Sequence, residues 1–68
     1  MEFSLAGEEF IELNKLLKTT QLTVTGGESN IRIVNGDVKV NGQIELQKRK
    51  KIRAGDVVIY NKTKITVV

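Results

Sequence analysis

The sequence predicts an α+β domain, and three observations carry that reading. An apolar stripe at helical spacing lies near the start of the chain. A capping signature follows it and opens a second helix. Short alternating stretches separated by turn residues fill the rest. The chain has 68 residues, the size of one domain spanning 1–68.

The elements follow in order. Phe3-Ser4-Leu5 alternates apolar and polar and reads as a short strand, which Gly7 breaks. Glu8 to Lys18 reads as a helix. Phe10, Leu13 and Leu17 recur on one face, and Leu16 widens it. Glu8 and Glu9 in the first turn and Lys15 and Lys18 near the end suit the helix dipole. Thr25-Gly26-Gly27-Glu28 has the form of a capping box. There the Thr25 hydroxyl accepts from the Glu28 amide, and the Glu28 carboxylate reaches back to the Thr25 amide. The second helix then runs from Gly26 to about Val34, with Gly36 suited to the left-handed position that ends it. Val38-Lys39-Val40 and Ile44-Glu45-Leu46 alternate on either side of Asn41-Gly42, a strong hairpin signal. Lys48 to Lys51 form a continuous basic run. Ala54-Gly55-Asp56 is a turn, Val57 to Tyr60 a buried strand, Asn61-Lys62-Thr63 a turn, and Ile65 to Val68 the last strand. The order β-α-α-β-β-β-β gathers the helices ahead of most of the sheet.

Composition narrows the function. Hydrophobic residues make up 40% and charged residues 28%, the balance of a folded soluble domain. The chain holds no cysteine and no histidine, so neither a thiolate metal site nor an imidazole base is available. The acids Glu28, Asp37, Glu45 and Asp56 are scattered, and no spacing forces them into a shared pocket. The chain therefore reads as non-enzymatic, with no cofactor, no metal and no small-molecule substrate. No apolar run is long enough to span a bilayer, so no membrane partner is expected and the compartment reads as cytoplasmic.

The net charge is +3 and the isoelectric point is near 9.5. Its distribution is segregated. The first twelve residues carry four acids and no base, whereas the remainder carries all 11 bases against four acids. Such a footprint suits a polyanion. Lys48, Arg49, Lys50 and Lys51, with Arg53 close by, are the first candidates, because clustered cations displace counterions from a phosphate backbone. A solvated hairpin edge would need only one or two lysines. Lys15 and Lys18 on the flank of the first helix, and Lys39 on the hairpin, join them if the fold brings them to one face. The Gly26-Gly27 helix start could approach a phosphate, but Glu28 marks it as a plain cap. Arg32 lies four residues after Glu28, which predicts a surface ion pair.

Several stretches together resemble the S4 RNA-binding domain, and most closely its small stand-alone bacterial members. They are Leu13-Asn14-Lys15-Leu16-Leu17, Gly26-Gly27-Glu28, Gly36-Asp37-Val38-Lys39-Val40-Asn41-Gly42, Gln47-Lys48-Arg49-Lys50-Lys51-Ile52, Ala54-Gly55 and Val67-Val68. The resemblance covers nearly the whole chain from Ile11. It implies an αL motif: two packed helices, then a β-hairpin and a small antiparallel sheet, with RNA held in the concave angle. By position it implies RNA contacts at Lys15, Lys18, Lys39, Lys48, Arg49, Lys50, Lys51 and Arg53. Two positions depart from the pattern. S4 domains often carry arginine where this chain has Gly26 and a basic residue where it has Asn30. That shifts the expected contact from the second helix to the hairpin and its basic loop.

The reading is a non-catalytic module docking on structured RNA, with ribosomal or transfer RNA as the candidates and a monomeric state. The alternative is a protein-interaction adaptor whose basic face meets an acidic partner. A third class, a fragment of an RNA-modifying enzyme, has no catalytic residues to support it here. The aromatics refine the first reading. Phe10 and Phe3 are expected in the core and Tyr60 at the end of a buried strand, which leaves none within the basic run. A surface without a stacking platform favours folded RNA over single strands.

Overall fold

The computed structural model describes all 68 residues. Seven short strands and two helices follow one another as β1 (Glu2–Phe3), β2 (Ile11–Glu12), α1 (Leu13–Thr19), α2 (Gly26–Val34), β3 (Val38–Val40), β4 (Gln43–Ile44), β5 (Lys51–Ile52), β6 (Val57–Tyr60) and β7 (Thr63–Val67). The main sheet has the order β1-β7-β6-β3-β4, and β2 pairs with β5 in a separate two-stranded sheet. The expected α+β class holds. The main sheet is antiparallel from β7 through β6 and β3 to β4. β1 adds a parallel edge against β7, so the whole sheet is mixed.

The turn chemistry acts as its residues require. Asn41 and Gly42 have φ of 52° and 85°, the paired left-handed values of a type I′ turn. Gly36 has φ 85° just past α2, which is the glycine helix stop. The Thr25 hydroxyl accepts from the Glu28 amide, as expected of the cap. The Glu28 carboxylate reaches the Val24 amide at 2.7 Å rather than that of Thr25. The box therefore closes one residue earlier than the sequence pattern implies.

The first helix is shorter than its periodicity predicts. Residues 8–12 are not helical, and α1 begins at Leu13. The cause is a tertiary pairing. Ile11 and Glu12 stand opposite Ile52 and Lys51 in an antiparallel bridge, which holds them extended and overrides the local helical pattern. Phe10 falls outside the helix as a result. It is only partly buried and takes no part in the core.

That core contains Leu5, Leu13, Leu16 and Leu17 from the N-terminal half and Ile33 from α2. Val38, Val40, Ile52, Val58, Tyr60, Ile65 and Val67 complete it from the strands. Phe3 packs against it as expected. α1 has only seven residues, too few to hold as an isolated helix. Leu13, Leu16 and Leu17 are fully buried, so packing holds it in place. Two hydrogen bonds tie α1 and its following loop to α2. The Asn14 side-chain nitrogen Nδ2 donates to Asn30 Oδ1 at 3.0 Å. The Thr23 and Ser29 hydroxyls pair in the interior, which satisfies two buried polar groups that would otherwise be costly.

Candidate nucleic-acid interface

The basic run is a loop with a fixed backbone. The Leu13 amide donates to the Lys50 carbonyl at 2.9 Å, and the Asn14 amide donates to the Lys48 carbonyl at 3.0 Å. The Lys50 amide closes a turn on the Gln47 carbonyl at 3.2 Å. Leu13 and Asn14 carry the first free amides of α1. Glu12 stands at the helix N-cap, but its side chain makes no capping bond. The carbonyls of the basic loop do that work instead.

Side chains then leave this scaffold in an order set by the strand period. Ile52 is fully buried, so its neighbours Lys51 and Arg53 point away from the core. Both reach Phe10. Lys51 Nζ lies 5.0 Å from the centre of the Phe10 ring, and Arg53 Cζ lies 5.8 Å from it. These separations are those of cation–π contacts. An open recess beside the ring is lined by Phe10, Ile11, Glu12, Lys15 and Lys51.

Two acids from the N-terminal segment lie among these cations. Glu12 meets Lys15 at 3.4 Å and Arg49 at 3.9 Å. Glu9 meets Arg53 at 3.7 Å. The basic partners are largely exposed, so each pair contributes little to stability. None of Lys48, Lys50 and Lys51 has a carboxylate partner. The strip thus keeps a net positive charge.

The eight residues singled out by sequence divide between places. Lys15, Arg49, Lys51 and Arg53 surround Glu12 and Phe10. Lys48 faces α2 across a second recess lined by Asn30, Ile31, Val34 and Asn35. Lys50 lies near enough to Asp56 for its charge to act there. Lys18, in the last turn of α1, and Lys39, exposed between buried Val38 and Val40, share none of these contacts.

Asp56 shows how the strip is joined to the sheet. Burial alone would raise its pKa. Hydrogen bonds from the Arg53 amide and the Asn41 side chain, with the charges of Lys50 and Arg53, outweigh that and hold it below the ordinary value of 3.8. Arg32 pairs with Asp37 at 3.8 Å, not with Glu28, whose carboxylate is taken by the Val24 amide. The outer face of α2 shows Ile31 and Val34 at 60% and 57% exposure. It is apolar where a basic edge was the alternative, in keeping with the neutral Gly26 and Asn30.

Sequence reasoning missed Phe10 as a surface group. The signal was present in Gly7 and in the two acids before Phe10, but an apolar residue three positions ahead of Leu13 reads as helical core.

Comparison with known proteins places this geometry. A family model described as the S4 domain matches residues 3–68. The chain belongs to the S4 domain family. The "Putative RNA-binding protein YbcJ" of Escherichia coli (strain K12) is 39% identical over 66 residues, covering 97% of this chain and 94% of that protein. The "Uncharacterized protein YbcJ" of Shigella flexneri matches to the same extent, 39% over 66 residues. The solution structure of YbcJ from E. coli superposes with a TM-score of 0.76 at 39% identity, covering 98% of this chain and 85% of that one. It is described as revealing an αL motif involved in RNA binding. The S4 chain described here has the same architecture: helices α1 and α2 followed by the β3–β4 hairpin.

Proposed function

We propose that this S4-family chain is a non-catalytic module that docks on structured RNA through the Lys48–Lys51 strip and its neighbours Lys15 and Arg53. One observation carries the reading. The strip projects from a backbone fixed by α1, and Lys48, Lys50 and Lys51 have no carboxylate partner. Phosphates are the partner such a strip suits, because each contact releases condensed counterions. The RNA binding attributed to YbcJ supports the same reading. Ribosomal and transfer RNA are the folded RNAs we favour, with the chain acting as a monomer in the cytoplasm. Lys18 and Lys39 are secondary candidates, since they lie apart from the strip.

The test is a salt titration. Changing Lys48, Arg49, Lys50 and Lys51 together to Gln leaves the loop's backbone hydrogen bonds in place. The fold survives and RNA affinity falls. The slope of log affinity against log salt shrinks by up to about one per lost phosphate contact. An unchanged slope moves the interface elsewhere.

The exposed Ile31 and Val34 on α2 favour a second reading, an adaptor for an acidic protein. Competition separates the two. Polyglutamate that displaces RNA from the strip as well as RNA itself does would support the adaptor.

A further inference from the structure

Phe10 is the one aromatic side chain outside the core cluster and its packed rim. An extended segment, not a helix, presents it. Lys51 and Arg53 reach its ring, and the adjoining recess has Lys15 and Lys51 on its wall. An apolar ring held among cations, beside an open recess, is the combination that single nucleotides use. The base stacks on the ring, and the neighbouring phosphates meet the cations.

We propose that this recess is a nucleotide subsite: one unpaired base of a folded RNA stacks on Phe10 while its flanking phosphates meet Lys15, Lys51 and Arg53. The subsite rests on the RNA-docking reading and adds a requirement to it. The interior of a perfect duplex presents no free base face, so along its length the RNA must carry a bulge or an unpaired nucleotide next to its helix. Selection of the base is weak, because every base has a face to stack. The expectation of a surface without a stacking platform gives way here, since it placed Phe10 in the core.

The test uses two RNAs, a fully paired duplex and the same duplex with a single bulged adenosine. The parent chain binds the bulged RNA roughly tenfold more tightly, the size of one base-on-aromatic stack. Phe10→Leu removes that preference, so the two RNAs then bind alike. Phe10→Trp keeps the preference. It also gives the chain its sole tryptophan, since the sequence has none, and the bulged RNA alone quenches its fluorescence through stacking. Because Phe10 lies outside the core, thermal melts of both variants stay close to that of the parent. Should Phe10→Leu fail to fold, the Phe10→Trp quenching decides the matter.

The subsite is overturned if the parent binds both RNAs equally with a normal salt slope, and RNA docking then stands without it. It is equally overturned if Phe10→Leu retains the preference or the indole is quenched by neither RNA. If neither RNA binds in a salt-dependent way, the docking reading fails and the subsite fails with it.

Discussion

The side-chain nitrogen of Asn41 donates to Oδ1 of Asp56 across 3.0 Å, joining two turns 15 residues apart in sequence. Asn41 Oδ1 also accepts from the Val57 amide at 2.9 Å, and the Asn41 amide donates to the Val57 carbonyl at 2.8 Å. One residue therefore forms the hairpin turn and locks it to β6. Asn41→Ala loses both side-chain bonds and places a poorer residue at positive φ. The expected cost is about 1–3 kcal/mol, seen as a lower midpoint in urea unfolding.

Acid weakens the same link. The pKa of Asp56 is lowered in the folded chain, so its carboxylate stabilises the fold above its ordinary, unfolded value of 3.8. That contribution is lost as pH falls through the folded value. Asp56→Asn removes it at every pH. The variant melts below the parent at pH 7, and the gap narrows in the acid range. A constant gap down to pH 2 would place the acid sensitivity in another carboxylate.

Gly42→Val tests the turn itself. No atom lies within 4 Å of the position a Cβ would take, so crowding is absent. The φ of 85° is the whole difficulty, because a β-branched residue resists it. A loss of about 1–2 kcal/mol is expected. RNA affinity measured well below the melting temperature stays near that of the parent.

Glu12→Gln releases Lys15 and Arg49 from their shared carboxylate. Affinity for any polyanion rises a few-fold, and its salt dependence steepens, because more positive charge is free to meet phosphate. Stability changes by less than about 1 kcal/mol, as expected for exposed pairs. Weaker binding in this variant would show that Glu12 holds the cations in a useful geometry.

The parts of the fold legible in the sequence are those governed by neighbours in the chain. Asn41-Gly42 specified the hairpin, Thr25 with Glu28 specified the start of α2, and Gly36 its end. Each rests on a dihedral or a hydrogen bond spanning a few residues. The helical pattern over residues 8–12 misleads because Ile11 and Glu12 pair with Ile52 and Lys51, some 40 residues away, and no local pattern records that pairing. The cations were legible as residue types, and their separation from Lys18 and Lys39 was not. Distance between them depends on β5 pairing with β2 instead of joining the main sheet.

The capping of α1 by the Lys48 and Lys50 carbonyls links two motions that would otherwise be independent. A helix of seven residues frays readily when its first amides lose their acceptors. Lifting the basic loop away therefore opens the helix, and unwinding the helix frees the loop. The loop's backbone is ordered before any ligand arrives, so docking carries no entropy penalty for arranging it. Hydrogen exchange would report the linkage directly. The Leu13 and Asn14 amides, at a helix start where exchange is usually fast, are slowed to the rate of loop opening and slow further once RNA holds the loop down.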